Sequence, residues 1–275
     1  MLFPQTWFSK LTYTRYHLCG WAPESPDFYT QAFQNQPYLE AYCRLAQKLH
    51  INIVPGTIIE AEPRADDTTE QEKDHALYNT AYFISSSGSI LGKYRKKNIW
   101  HPERPHLTSS STDPHDVLET EVGKIGMLIC WDLAFPEAFR ELIAKGAEII
   151  IIPTYWGKHD ANEEALRLNP NTEQLFVDST LTSRCYENTC AIVFANAAGP
   201  ADFFLGMSRV VVPFIGPVDG KSMAAEEEGA MVVDLDMSVL ALAEENYKVR
   251  QDLASEGWYY SYRHTAADKR PAETV

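Results

Sequence analysis

A cysteine that closes an apolar stretch is the first residue placed to do chemistry. Residues Gly126-Met-Leu-Ile-Cys130-Trp-Asp132 run from apolar to polar and lead toward a helix start at Phe135-Pro136-Glu137. In an α/β protein, ligand sites form at the carboxyl ends of strands. A cysteine there serves as a nucleophile when a nearby cation stabilises its thiolate. The same segment also reads as a core cysteine finishing a strand. The second candidate is Lys93-Tyr-Arg-Lys-Lys-Asn-Ile-Trp-His-Pro-Glu-Arg104. It sets several cations at a strand end and places Glu103 seven residues after Lys96. Taken alone, it also reads as a basic exposed loop.

These residues need elements to hold them. The apolar spacing predicts a helix over 36–49, with Leu39, Cys43, Ala46 and Leu49 on one face. Ile51 to Ile59 reads as a buried strand bent at Pro55-Gly56. Leu77–Ser85 and Ser89–Arg95 read as strands joined by the turn residues Ser86-Ser87-Gly88. Lys124–Cys130 reads as a strand, followed by a helix from Pro136 to Lys145-Gly146. That helix has proline near its start, an acid in its first turn, and a cation and glycine at its close. Glu148–Ile152, with four consecutive isoleucines, reads as a strand covered on both faces. A helix over about 172–186, strands at Ala191–Ala195, Ser208–Phe214 and Ala230–Leu235, and a helical stretch over 236–246 complete the series. Strands and helices alternate and hairpins interrupt them, which predicts an α/β fold with mixed sheets. No composition shift marks an internal boundary, so one domain is expected, followed by an extended polar tail.

Composition narrows the function classes. The chain has 275 residues, 45% of them hydrophobic, enough for one substantial core. Its net charge is −14, which repels phosphate backbones, so no nucleic-acid partner is expected. No apolar run is long enough to span a membrane, and Met1 to Lys10 lacks the pattern of a secretory signal. The cysteines are Cys19, Cys43, Cys130, Cys185 and Cys190, an odd number at irregular spacing. That argues against a disulfide framework and structural zinc, and for a reducing compartment such as the cytoplasm. Trp100, Tyr155 and Trp156 stand near expected strand ends, where aromatics line pockets or pack as core.

Together the two reactive segments resemble the nitrilase superfamily of carbon–nitrogen hydrolases, whose active site joins a glutamate, a lysine and a cysteine. Tyr94-Arg95-Lys96 is similar to the family's lysine motif, and Gly126-x-x-Ile129-Cys130-Trp131-Asp132 to its cysteine motif. Glu103-Arg104 stands where many members carry an accessory glutamate followed by arginine. The likeness continues through Phe135-Pro-Glu137 with Arg140, Gly146-Ala-Glu148, Ser183-Arg-x-x-Glu187-Asn188, Asn196, and Gly206-x-Ser208 with Pro213 and Gly216. It implies an α-β-β-α sandwich over residues 16–250, with 1–15 an atypical N-terminal segment and 251–275 a C-terminal tail. It implies hydrolysis of a small amide or nitrile through a cysteine thioester. Cys130 would be the nucleophile, with Lys96 favouring its thiolate and stabilising the oxyanion. The Trp131 backbone N–H would be the second oxyanion donor, and Glu103 would orient substrate or water. No metal or organic cofactor is implied. A homodimer or larger homo-oligomer is, with Phe135–Lys145 and the segment after Tyr247 as contacts.

The general base departs from the pattern. The family carries it in a Pro-Glu motif five residues before a Gly-aromatic pair. Here that pair is Gly20-Trp21, and five residues before Gly20 stands Arg15, preceded by Thr14. Phe3-Pro4-Gln5 has the look of the motif with an amide in place of the acid, at the wrong spacing. Neither Arg nor Gln acts as a base at neutral pH. The family's first strand–helix–strand unit is therefore expected to be missing. Either the chain is a fragment or its first portion is replaced, or it is a degenerate homologue that keeps the fold as a non-catalytic binding or scaffold protein. A Cys-His hydrolase such as a glutaminase is a third possibility. It fits less well, because no glycine flanks Cys130, and His101, His106 and His115 read as loop residues.

Overall fold

The computed structural model describes residues 36–63, 75–258 and 260. Arg15, the Gly20-Trp21 pair, the expected absence of a first strand–helix–strand unit and most of the tail lie outside these residues.

Two sheets pack face to face. The smaller contains β1 (Thr57–Pro63), β2 (His75–Ile84) and β3 (Ile90–Arg95), all antiparallel in the order β1-β2-β3. The larger has six strands in sequence order: β4 (Val117–Thr120), β5 (Gly123–Met127), β6 (Ile149–Thr154), β7 (Ala191–Asn196), β8 (Arg209–Val212) and β9 (Gly216–Pro217). The β5-β6-β7 pairings are parallel and the others antiparallel, so the sheet is mixed as expected.

The helices cover the outer faces. Helix α1 (Gln36–Leu49) packs Tyr42 and Ala46 against Ile53 and Ile84, on the outer side of the small sheet. The next residue back along β2, Phe83, points the other way, into the core shared with Ile125, Ile151 and Phe194 of the large sheet. Helices α2 (Pro136–Ala144) and α4 (Thr172–Asn188) lie on the far side, and α3 (Glu163–Leu168) is a short exposed helix between β6 and α4. Helix α4 buries Val177, Leu181, Cys185 and Asn188, a single stripe at helical spacing. Helices α5 (Ser238–Tyr247) and α6 (Val249–Leu253) follow, with α6 packed on α2 and α4. All six residues of β6 are buried, which is why that strand reads as an unbroken apolar run.

Four local expectations need correction. Leu49 is exposed, and Tyr42 takes its place on the buried face of α1. The first strand begins at Thr57 and not at Ile51. Pro55 has no N–H to give and Gly56 sits at φ 97°, so before them only isolated bridges form, such as Ile53 with Ile84. Strand β5 ends at Met127, three residues before Cys130. Ala230–Leu235 is not a strand. Its alternation persists as half-buried and exposed positions, but no neighbouring strand pairs with it among the described residues.

Candidate active site

The ends of β3, β5 and β6 meet in one place. Lys96 follows β3, Cys130 follows β5 by a short loop, and Tyr155-Trp156 follows β6. This is the carboxyl edge of the parallel strands, where the backbone turns away and side chains face a cleft. The cleft has about 300 Å³ of empty space, its solvent-open mouth included. Lys96, Glu103 and Cys130 lie at its base and Trp100, Trp131, Tyr155 and Trp156 wall it, with Asp160 beside them.

Cys130 begins a 3-10 turn, Cys130–Ala134, and its own φ is 47°. A side chain at positive φ is crowded by its own backbone. The turn is held open by Asp132, which has no exposure to water. One Asp132 oxygen accepts from the Tyr94 hydroxyl (2.8 Å) and the Ile129 N–H (2.9 Å). The other accepts from the Asn98 N–H (3.0 Å) and side-chain amide (2.8 Å). The bond from Ile129 closes the cysteine turn, and the other three tie it to the segment that carries Lys96. The Cys130 thiol donates to the Tyr155 carbonyl at 3.6 Å. The Trp131 N–H has no hydrogen-bond partner among the described residues.

Lys96 and Glu103 are each about 1% exposed, and the Lys96 Nζ donates to Glu103 Oε2 at 2.5 Å. The same oxygen accepts from the Trp100 N–H at 3.1 Å. The spacing of seven therefore brings the lysine and the glutamate together, through a loop and the short 3-10 turn His101–Glu103. Burial opposes the Lys96 charge, but the charges of Glu103, Cys130 and Asp132 and the hydrogen bond to Glu103 outweigh it and hold Lys96 protonated. Lys97 turns elsewhere, donating to the Ser110 and Asp113 carbonyls, which leaves Lys96 as the cation of the cleft.

Charge and burial act on the Cys130 thiol in opposite directions. Burial pushes the Cys130 thiol up to about 12, Lys96 pulls it down only in part, and Glu103, Asp160 and Asp132 push it further up. Burial is the largest of these effects, and the Glu103 carboxylate beside Lys96 opposes the lysine's pull on the thiol.

The aromatic residues form the walls. The Trp100 and Trp131 rings meet edge-on at 4.3 Å, and Trp131 lies 5.6 Å from Trp156. Asn196 fixes the Tyr155-Trp156 backbone: its Oδ1 accepts from the Trp156 N–H (2.8 Å), and its Nδ2 donates to the Trp156 carbonyl (3.1 Å) and the Gly206 carbonyl (2.8 Å). The Trp156 indole N–H donates to Glu173 at 2.5 Å. His101 and His106 are outside the cleft lining, and His115 is buried with Glu141, its Nδ1 at 2.6 Å from Glu141 Oε2. Asp160 is a site residue that sequence reasoning missed. It lies on an irregular loop with no motif around it, and only the fold carries it back beside Cys130. The described residues contain no group of three or more His, Cys, Asp or Glu that could hold a metal ion, and no helix long and apolar enough to cross a membrane.

Comparison with known proteins follows the same lines. The pattern of the carbon–nitrogen hydrolase family matches residues 15–245. The chain is 30% identical to a probable nitrilase of Schizosaccharomyces pombe over 213 residues, 77% of this chain and 69% of that protein. It is 26% identical to the 2-oxoglutaramate amidase of Bacillus subtilis, over 78% of this chain and 73% of that one. Among solved structures, a carbon–nitrogen hydrolase from Helicobacter pylori G27 superposes with a TM-score of 0.69 at 23% identity, covering 84% of this chain and 78% of that chain. A mutant of the amidase from Nesterenkonia sp. AN1, bearing the acetamide moiety of fluoroacetamide on its active-site cysteine, superposes with a TM-score of 0.60 at 23% identity, covering 90% and 82%.

Proposed function

The chain belongs to the carbon–nitrogen hydrolase family, and from that premise we propose that its cleft hydrolyses a nonpeptide carbon–nitrogen bond, with Cys130 as nucleophile. One observation carries the reading: Cys130, on a left-handed turn, shares a cleft with the buried Lys96–Glu103 pair. In this mechanism the Cys130 Sγ attacks the carbonyl carbon of an amide, or the carbon of a nitrile. The negative charge then gathers on the former carbonyl oxygen or nitrile nitrogen, within reach of the Lys96 ammonium and the Trp131 N–H. From an amide, loss of the amine or ammonia leaves a thioester; from a nitrile, the thioimidate first adds water and then loses ammonia to reach the same thioester, which a further water cleaves. Glu103 holds Lys96 in place and orients the incoming group. The amidase names among the relatives favour an amide.

Every step needs a proton carrier. The high Cys130 value means that a base must take the thiol proton before attack. In the sequence, the place five residues before Gly20 carries Arg15. We therefore propose that a protein of these 275 residues turns over slowly or not at all. Loss of a positioned acid/base costs roughly 10²–10⁴ in rate. The second reading, a non-catalytic binding protein on the same fold, draws on this same residue. Ammonia release from a panel of small amides and nitriles tests both. The unmodified protein and Arg15→Glu are expected to be silent, while a version with residues 1–15 replaced by a strand–helix–strand unit ending in Pro-Glu is expected to be active. Turnover by the unmodified protein that Cys130→Ala abolishes would overturn the inactivity and make Glu103 the first suspect as base. Silence from all three would favour the binding protein.

A further inference from the structure

The cleft holds more acid than the proposed chemistry uses. Asp160 lies on the loop after β6, and its Oδ2 accepts the Gly157 N–H at 2.9 Å, which fixes the carboxylate. Its other oxygen takes no hydrogen bond among the described residues. Asp160 is exposed at the cleft, which Trp100, Trp131, Tyr155 and Trp156 also line. Glu173, bonded to the Trp156 indole, puts a second carboxylate beside the aromatic wall. Among the described residues, Lys96 is paired with Glu103, Lys158 donates to the Ala201 carbonyl at 3.3 Å, and the exposed His159 is the chain neighbour of Asp160. A cleft lined by a carboxylate and several aromatic rings suits a cation on a short stem, because ring faces attract cations and aliphatic stems pack on them.

We propose that the site takes amides that carry a cationic group, an ammonium or guanidinium on a short aliphatic stem, with Asp160 as the residue that recognises the cation. This rests on the hydrolase reading for the word amide, but not for the cation. Binding of the cation also touches the nucleophile. Asp160 is one of the charges that hold Cys130 as a thiol, so a cation docked on it eases thiolate formation.

Alkylation of Cys130 tests the recognition without turnover. Three reagents of similar size are compared, 2-bromoethylamine, iodoacetamide and iodoacetate, which are cationic, neutral and anionic. In each, sulfur displaces halide and the thiol proton goes to solvent. Rates at Cys130, read by peptide mass spectrometry, are divided by the rates with N-acetylcysteine amide. The cationic reagent is expected to be favoured over the neutral one by about tenfold at low salt, and the anionic one disfavoured. Asp160→Asn, which can still accept the Gly157 N–H, should bring the ratios close to one. Glu173→Gln should leave most of the preference in place. No charge preference in the unmodified protein, or a preference that survives Asp160→Asn, would overturn the proposal. So would a preference that falls with Glu173→Gln alone. Ammonia release tests the hydrolase reading separately, so either idea can fail without the other.

Discussion

Lys96 and Glu103 are a buried ion pair, and a buried pair is worth most when it is broken. Removing one partner leaves a lone charge on a buried side chain. Lys96→Met is therefore expected to cost about 3–5 kcal/mol in urea unfolding, with Glu103→Gln added to it restoring much of the loss. Additive losses in that double-mutant cycle would mean that the pair does not act as a unit. Burial first, and the Glu103 charge after it, hold up the thiol beside this pair. The Cys130 alkylation rate with iodoacetamide should keep rising tenfold per pH unit through the ordinary thiol range, with no plateau by pH 9, because the thiol is pushed up to about 12. A plateau below pH 9 would show that Lys96 stabilises the thiolate after all.

The cysteine turn and helix α2 carry the next two predictions. Cys130 sits at φ 47°, a conformation that costs a side chain about 1–2 kcal/mol and glycine almost nothing. Glycine gives back part of that gain through the greater freedom of its unfolded chain. Cys130→Gly is thus expected to be more stable than Cys130→Ala by about 0.5–1 kcal/mol. A less stable glycine variant in thermal unfolding would place the strain elsewhere. Helix α2 is tied to the segment before β4 by Glu141, whose carboxylate accepts from the His115 N–H (3.1 Å) and Lys145 (3.0 Å) and pairs with the His115 ring. Burial would raise Glu141, but those hydrogen bonds and the His115 charge outweigh it and take it from 4.5 to about 2. A carboxylate held below its unfolded value stabilises the fold above pH 4.5, and that contribution fades as pH falls toward 2. It amounts to about 3 kcal/mol as an order of magnitude. Glu141→Gln should be less stable at neutral pH and should flatten the stability profile between pH 4.5 and 2. An unchanged slope in urea titrations across that range would remove Glu141 from the account.

At the scale of the whole molecule, the outer surface bears on assembly. Helix α2 spends Ala138, Phe139, Leu142 and Ile143 on its own core, so only its outer face is available to a partner. The start of the segment after Tyr247 is also used internally: the Arg250 guanidinium donates to the Ala147 carbonyl (2.7 Å) and the Thr189 carbonyl (3.3 Å). Nearby, the Phe214 ring lies 5.5 Å from Tyr247 and 6.3 Å from Tyr186, and Phe214, Ile215 and Tyr247 are exposed. Large exposed aromatic and aliphatic groups that gather in one place mark association surfaces. We propose a homodimer or larger that covers them. Light scattering at micromolar concentration should give at least twice the chain mass, shifted toward monomer by Phe214→Ser with Ile215→Ser. A clean monomer would contradict the proposal.

Much of this protein was legible before any coordinates. The family motifs named Lys96, Glu103 and Cys130, and the hydrophobic periods placed α1, β2, β3, α2, α4 and β7 to within a few residues. Those features are local: a period of two or 3.6, a proline at a helix start, a glycine at its end. Other features depend on distant segments and left no local mark. Ala230–Leu235 alternates as a strand does but has no partner edge among the described residues, so the pattern alone could not make it one. Cys130 looked like the last residue of a strand, and the bonds from Asn98 and Tyr94 to Asp132 accompany a left-handed turn there instead. A lysine near a cysteine suggested a thiolate. Only the fold shows that Glu103 pairs with the lysine and that Asp160 comes round to the same cleft, because the balance of charges at a site is a sum over neighbours that the chain order does not reveal.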